Sequence, residues 1–413
     1  MSIAEQETRA EETIATGRAE EAGPSRRGAL VGTPLLVVGV ALAASNLRPA
    51  VTSMSSVLGE VRDGLGASAV WTSVLTAVPT ICFGLAAIAA PLLSRRLGMA
   101  RAIGLAMAVL TAGLVLRVVD GPWVVLGGTF VAAAGIAIGN VLIPVVVKQS
   151  FPHAVGRVTG VYTAALAAGG GIGAAFTPPL EPLLGGWRGA VGAWALLSLA
   201  ALVVWTIGAR HGEPEPVVRT DAGERRPMVR RPLAWVVTAF FGLQACVAYV
   251  AMGWLAELFV SVGVTRTDAG LMLALINLIG IPLSFVIPPI ALNRASQSGW
   301  IVGLACCSLA AVAGLAIAPA AAPWLWTVLL GVGMAVFPLG LGVIALRTRE
   351  AAETTDLSAM AQGFGYLIGA TGPFLFGILH GLTGSWTPSL VLLGAVIVAE
   401  MVLGWVAGRP RYV

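Results

Sequence analysis

Residues 190–207 read AVGAWALLSLAALVVWTI, residues 209–231 read ARHGEPEPVVRTDAGERRPMVRR, and residues 233–260 read LAWVVTAFFGLQACVAYVAMGWLAELFV. The first and third stretches are each long enough to cross a bilayer, which takes about 20 mostly apolar residues. The middle stretch is rich in proline and charge, a composition typical of a linker. The centre of this chain is therefore a polar linker between two membrane-spanning segments.

The same apolar pattern recurs on both sides of that linker, with six spans before it and six after it. The chain of 413 residues is 57% hydrophobic and 11% charged, with a mean hydropathy of +0.89, whereas soluble domains carry about 25% charged residues. We predict an all-α polytopic membrane protein with twelve transmembrane helices in two six-helix bundles. The predicted spans are Leu35–Val57, Trp71–Leu93, Ala102–Val119, Val124–Val147, Val158–Leu180, Ala190–Ile207, Leu233–Val260, Ala269–Ala291, Trp300–Ala318, Trp324–Leu346, Leu357–Leu379 and Leu390–Val406.

The domain organisation follows from these spans and from the tails. Residues 1–28 are acidic and lack the basic stretch and apolar run of a secretory signal, so they are predicted to be a disordered cytoplasmic tail. Residues 29–208 form the first bundle, 209–232 a cytoplasmic linker, 233–408 the second bundle and 409–413 a short tail.

Basic residues are distributed unevenly along the connectors. With the N-terminus placed inside and the spans alternating, all but five of the 25 Lys and Arg residues fall on the cytoplasmic side. The exceptions are Arg48, Arg62, Arg117, Arg188 and Arg266. By the positive-inside rule, we predict a multi-pass protein of the cell inner membrane with both termini in the cytoplasm.

The two halves resemble each other when they are superimposed at an offset near 197 residues. Glu60 and Gly66 of the first half then align with Glu257 and Gly263 of the second. Internal repeats of this kind are typical of secondary transporters. The offset therefore favours two pseudo-symmetric bundles that arose by duplication.

Five stretches are spread over nearly the whole chain after residue 30, namely NLRPAVTS at 46–53, GIAIGNVLIP at 135–144, GVYTAAL at 160–166, FFGLQ at 240–244 and MAQGFGYL at 360–367. Together they resemble the cyanate and 2-nitroimidazole transporter family of the major facilitator superfamily. The connector 91–98 occupies the place of the superfamily signature but departs from it, with Pro91 in place of the first glycine and Arg95 in place of the acid.

The resemblance implies a major facilitator fold with alternating access to one site near the midplane. It also implies a cyanate-like anion or a nitro-bearing heterocycle as solute. Two alternatives stay open, namely an exporter of a toxic or drug-like compound and a non-transporting membrane receptor.

Several other classes are disfavoured by the sequence. There is no Walker A loop for an ATP-driven pump and no metalloprotease or serine-hydrolase signature, so no enzyme is expected. The basic residues flank apolar spans and form no aromatic-rich face, which argues against nucleic acid. The four cysteines lie within spans at spacings that make no metal site. We expect a monomer without a cofactor, whose partners are a small solute, the bilayer and either a coupling proton or an exchanged anion.

Polar side chains inside the spans are the first candidates for a binding site, because each needs a partner or water. Only five Asn or Gln residues fall within spans, and the resemblance places those spans around the central cavity. We predict hydrogen bonds to the solute from four of them and aromatic walls from three tyrosines. The alternative is that these groups only join helices to one another. The predicted residues are Asn46, Asn140, Gln244, Gln362, Tyr162, Tyr249 and Tyr366, and the fifth amide is Asn277.

Arg48 is the most specific signal, since it lies about 3 Å past the centre of span one at about 1.5 Å per residue. A charge at that depth costs at least ~2.5–3.5 kcal/mol. It suits an anionic or strongly dipolar solute, and we predict that Arg48 anchors it. If span one instead began near Ala29, Arg48 would lie close to the outer end of the span. Its long side chain would then extend to the outer membrane surface, with the charged group in water.

The coupling mechanism is predicted from the lack of titratable side chains in the middle of the spans that border the cavity. No span that borders the cavity carries an Asp, Glu or His near its middle. We therefore expect uniport, anion exchange or a proton that travels on the solute. Glu257, His380 and Glu400 are the remaining candidates for a proton carrier.

Overall fold

The computed structural model describes residues 34–151, 155–208, 228–349 and 351–413. Within these ranges the chain is helical and contains no strand. The predicted tail 1–28 and linker residues 209–227 lie outside the described residues, so the predicted domain bounds remain predictions. Span seven begins at Pro232, directly after a short 3-10 helix at Met228–Arg230.

Twelve segments of the described chain are long and apolar enough to cross a membrane, six on each side of the linker. The predicted twelve-helix membrane fold is thereby confirmed. The helices, in order of spans one to twelve, are Pro34–Asn46 with Pro49–Ser56, Ala69–Leu97, Met99–Leu116, Pro122–Ser150, Val155–Leu183, Trp187–Gly192 with Trp194–Gly208, Pro232–Ser261, Arg266–Leu292, Ser298–Ile317, Pro323–Gly333 with Val336–Leu346, Ala351–Thr383 and Thr387–Ala407. A further helix, Leu58–Leu65, connects spans one and two.

The internal repeat is visible in the backbone before spans two and eight. Gly66 and Gly263 both adopt a positive φ, 58° and 93°, a conformation that glycine reaches without steric cost. Two residues later, Ser68 and Thr265 cap the next helix, and each hydroxyl accepts from the backbone N–H three residues on. All these positions differ by 197, so the same turn and cap begin both helices.

The two halves meet along spans two and eleven and along spans five and eight, whereas spans three, six, nine and twelve pack within their own half. Because the number of spans is even, Pro34 and Ala407 lie at the same face of the bundle, which we call the termini face. The other is the opposite face. These seams enclose the space in which a solute can bind.

Span one is broken near its middle, between Asn46 and Pro49. Proline has no N–H for the helical ladder, so the break falls next to it. Span five packs tightly against this break through glycines: a Cβ on Gly169 would lie 2.1 Å from the Ser45 carbonyl oxygen, and one on Gly173 would lie 2.7 Å from the Pro49 Cα. Close backbone packing therefore holds the broken segment in place.

Candidate solute-binding cavity

A cavity of about 490 Å³ lies between the two halves. Its walls run from the middle of the bundle toward the termini face, because they use the first half of span five and the second halves of spans eight and ten. Span ten is also discontinuous, and Met334 at its break lines the cavity. Discontinuous helices are a recurrent feature of transporter sites. The lining residues are Arg48, Thr159, Gly160, Thr163, Ala164, Leu166, Ala167, Ala248, Tyr249, Met252, Ile276, Asn277, Gly280, Ile281, Ser284, Phe285, Pro288, Met334, Phe337, Pro338 and Leu341.

Arg48 lies at the break in span one, with its guanidinium on the cavity wall rather than at the membrane surface. Its Nη1 donates to the Oδ1 of Asn277 on span eight at 3.1 Å and lies 4.0 Å from the Sδ of Met252 on span seven. Among the described residues, no carboxylate forms an ion pair with it. The cavity therefore contains a cation whose partners are neutral.

The three predicted tyrosines lie around Arg48, close enough for their phenol oxygens to interact with it electrostatically. Only Tyr249 lines the cavity. Tyr366 packs behind it, with ring centroids 6.3 Å apart, and also contacts Phe83 of the other half at 5.6 Å. Tyr249 and Tyr366 thus form an aromatic cluster with Phe83 across the halves, and Tyr249 is the member that lines the cavity.

The structure does not bring the predicted amides into the cavity. The Asn46 Nδ2 donates to Leu42 O at 2.7 Å and to Leu197 O of span six at 3.4 Å, so the side chain faces away. Asn46 ends the first helix of span one, whereas Arg48 lies beyond it in the break and lines the cavity. Asn46 therefore lies outside the cavity wall, on the side of span one that faces span six.

The other three predicted amides also lie outside the lining. Gln362 Nε2 donates to Ser358 Oγ at 2.8 Å, which is a contact within one helix. Gln244 is buried, and its Nε2 has no hydrogen-bond partner in the described chain. Asn140 is half-buried on span four. None of the three belongs to the cavity wall described here.

Asn277 is the polar cavity residue that the predicted set left out. It was one of five Asn or Gln residues within the predicted spans, so its polarity marked it as a candidate. Nothing in the sequence showed that its side chain, rather than those of the other four, lines the cavity. The hydroxyls of Thr159, Thr163 and Ser284 and the rings of Phe285 and Phe337 were also missed. These residue types are common in membrane helices, so only the rotation of each helix identifies them.

The opposite face is closed by two ion pairs that join the halves. Arg266 of span eight pairs with Glu60, and Arg62 lies 3.7 Å from Glu257 of span seven. A Cβ on Gly59 would lie 2.9 Å from the Glu257 Oε2, so glycine lets the two halves approach here. Burial raises the pKa of the Glu60 carboxyl, although its backbone hydrogen bond and Arg266 act to lower it. We call these four charged residues the ionic latch.

The three candidates for a proton carrier lie outside the cavity wall. Glu257 belongs to the ionic latch, and His380 stacks on Trp386 with ring centroids 3.5 Å apart. Glu400 on span twelve is buried, and its Oε1 has no hydrogen-bond partner among the described residues. It lies near Cys246 of span seven rather than near Arg48.

A second groove of about 460 Å³ runs along the seam of spans five and eight on their lipid-facing side. Its lining, which includes Ile172, Phe176, Leu278 and Trp324, contains no charged or hydrogen-bonding side chain except the Trp324 indole. A transported solute needs polar groups that fix its orientation. The central cavity is therefore the better candidate for a solute site.

Two six-span halves around a central cavity are the architecture of a membrane transporter. The chain belongs to the Major Facilitator Superfamily, which it matches over residues 35–373. It thus belongs to a family of transporters of small solutes and not of enzymes.

Comparison with known proteins confirms the branch predicted from the sequence. The chain is 34% identical over 378 residues to the 2-nitroimidazole transporter of Escherichia coli (strain K12), covering 91% of this chain and 96% of that protein. It is 26% identical over 360 residues to the cyanate transport protein CynX of the same organism, covering 87% and 93%. A bacterial homolog of the human lysosomal transporter Spinster, solved in an inward-facing and occupied conformation, shares the fold with a TM-score of 0.73 at 14% identity, covering 90% of this chain and 96% of that chain.

Proposed function

We propose that this protein carries a small anionic or dipolar solute across the cell inner membrane by alternating access, with Arg48 as the anchor. The observation that carries the proposal is the Arg48 guanidinium on the cavity wall, bonded to neutral groups only. Arg48 is half-buried within a membrane span, and a cation at that depth is costly unless a ligand or water compensates it. The solutes named for the two relatives, 2-nitroimidazole and cyanate, agree with a dipolar or anionic ligand.

The proposal is tested by flux in proteoliposomes that contain the purified protein. Uptake of cyanate, of small carboxylates and of 2-nitroimidazole is measured against empty liposomes, with preloaded unlabelled solute to drive counterflow. We expect saturable counterflow for at least one of these solutes. Saturable binding without flux would favour a receptor and would contradict the proposal.

We further propose that both termini are cytoplasmic, so that the cavity extends toward the cytoplasm and the ionic latch faces outward. In a background without the four native cysteines, single cysteines at Thr220 and Asp63 are treated with an impermeant thiol reagent on intact cells. We expect labelling at position 63, where the side chain is exposed, and none at position 220. The reverse pattern would overturn the orientation.

Coupling is expected to be uniport, anion exchange or movement of a proton on the solute. An imposed proton gradient should therefore drive no uphill accumulation of a fixed-charge solute. Because Glu257 also pairs with Arg62, Glu257→Gln must be compared with Arg62→Gln, which breaks the same pair but keeps the carboxyl group. Uphill transport that Glu257→Gln abolishes and Arg62→Gln preserves would make Glu257 the proton carrier and this expectation wrong.

A further inference from the structure

The described walls of the central cavity carry charge of one sign only and are otherwise mostly apolar. They carry one cation, no carboxylate, and a large apolar surface that includes Met252, Phe285, Met334 and Phe337. We propose that the solute is an organic monoanion with a flat aromatic or heteroaromatic body. Its anionic group binds Arg48, and its ring lies against the apolar wall of Phe285 and Phe337. This inference rests on the proposed function and specifies the class of solute.

The charge of the solute follows from Arg48. In this structure the Arg48 Nη1 donates to a neutral amide oxygen, that of Asn277, at 3.1 Å. A carboxylate is a stronger acceptor than an amide oxygen, because its charge is opposite to that of the guanidinium and its two oxygens can accept two parallel N–H bonds. An anion that enters the cavity therefore competes well with Asn277 for the same donor. A cationic solute would meet no compensating carboxylate in the described lining.

The number of charges follows from the same wall. Arg48 is the one charged residue in the described lining, and the remaining surface is mostly apolar. A second negative group would lose its hydration without a partner, which is strongly unfavourable. One formal charge is therefore what this cavity can compensate.

The size of the body follows from the volume. The cavity measures about 490 Å³, whereas one water molecule takes about 30 Å³ in the liquid. A triatomic anion would fill a small part of this space and would leave the apolar wall without contacts. A ring attached to the anionic group reaches that wall and gains affinity by burying apolar surface.

A sugar-like solute is disfavoured because two of the cavity hydroxyls and the Asn277 amide already donate within the protein. Thr163 Oγ1 donates to Thr159 O at 2.5 Å, and Ser284 Oγ donates to Gly280 O at 2.6 Å. Asn277 Nδ2 donates to Leu273 O at 2.9 Å. A solute with many hydroxyl groups would find few free donors in exchange for its water. A solute with one polar end needs only Arg48 and its neighbours.

The test is equilibrium binding to the purified full-length protein, measured by calorimetry with four probes. Benzoate has the charge and the ring, benzamide has the ring without the charge, and acetate and cyanate have the charge without the ring. We expect benzoate to bind at least about tenfold more tightly than each of the other three. Acetate and cyanate lack the ring, and one methylene in an apolar pocket already changes affinity by about tenfold or more. Benzamide lacks the charge, and a hydrogen bond to a charged group contributes about 1.5–3 kcal/mol. Benzamide binding as tightly as benzoate would overturn the charge assignment, and acetate or cyanate doing so would overturn the aromatic assignment.

Variants of the cavity wall test where the aromatic ring of the solute binds. Phe285→Ala combined with Phe337→Ala should lower benzoate affinity at least about tenfold and reduce the preference for benzoate over acetate. Phe176→Ala, which removes a similar ring from the lipid-facing groove, should change neither affinity. An unchanged preference in the double variant would overturn the proposed ring position.

Different experimental outcomes would contradict the solute class and the transport function. Saturable cyanate or acetate flux, with no binding of benzoate and no competition by it, would overturn the inference and leave transport intact. Benzoate binding with the expected preference but no flux of any solute would overturn the proposed function and leave the ligand class intact. Failure of all four probes to bind would overturn the inference.

Discussion

Replacing Arg48 by alanine is expected to lower solute flux at least about 100-fold while the protein stays folded in the membrane. A hydrogen bond to a charged group contributes about 1.5–3 kcal/mol. Two such bonds to an anionic group therefore contribute more than 100-fold, at about 1.4 kcal/mol for each factor of ten. The folded protein should lose little, because Asn277 is neutral and the variant leaves no stranded carboxylate. The free energy of unfolding should change by less than about 1 kcal/mol, and Tm by less than about 4 °C.

Two further variants make the Arg48 prediction specific. Arg48→Lys keeps the positive charge but lacks the planar guanidinium that binds two oxygens at once, so it should retain only part of the flux. Arg188→Ala serves as the control, because Arg188 pairs with Asp120 on an exposed surface of the first half. Flux is measured in proteoliposomes, and Tm on the same preparations. Wild-type flux in the alanine variant would show that Arg48 does not anchor the solute.

Removing Arg266 is expected to open the face that the ionic latch closes. Arg266 binds Glu60 across the halves, and the two side chains are only 33% and 21% exposed. Its loss leaves a partly buried carboxylate unpaired, which disfavours the closed conformation. Exposed ion pairs contribute about 0.2–1 kcal/mol, and a partly shielded pair is expected at the upper end of that range. The ratio of open to closed molecules should then rise roughly fivefold.

A cysteine in place of Ser55 reports this opening, because Ser55 is buried within a small void between the cavity and the latch. In a background without native cysteines, Arg266→Ala should raise the rate at which an impermeant reagent labels position 55 by about the same factor. The exchanged pair Glu60→Arg with Arg266→Glu should bring the rate back toward the starting value. Removing the Arg188–Asp120 pair, which lies within one half, should leave the rate unchanged. If removal of Arg266 and removal of the Arg188–Asp120 pair raise the labelling rate equally, the rate depends on the loss of any ion pair. The proposal that the ionic latch closes this face would then be wrong.

The fold could be predicted from the sequence because it depends on properties that a single chain displays directly. Apolar runs of membrane length and a charged linker fix the number of spans and their division into halves. The offset of 197 was visible as matching residues, and it reappears as matching turns at Gly66 and Gly263. None of these inferences needed the orientation of a particular side chain.

The site was predicted only in part because it depends on helix rotation and on breaks. Arg48 stood out by its charge alone, but Asn46 and Asn277 looked equivalent in sequence, and they face span six and the cavity, respectively. Arg117 had been counted with the residues of the opposite face. It is instead fully buried, with its guanidinium donating to the Ala50 carbonyl oxygen and to Ser53 Oγ. Its partners belong to the segment after the break in span one, which the sequence did not reveal.

The ionic latch has a consequence for how the two halves recognise each other. Glu60 and Glu257 occupy equivalent positions of the repeat, and each pairs with an arginine of the other half. The contact is thus complementary in charge in both directions, although the arginines are not equivalent in the repeat, where Arg62 matches Phe259 and Arg266 matches Ala69. In the present chain the linker keeps the two halves at a high effective concentration, whereas the ion pairs of the latch contribute specificity. Two halves made as separate polypeptides should therefore retain the contacts by which they recognise each other.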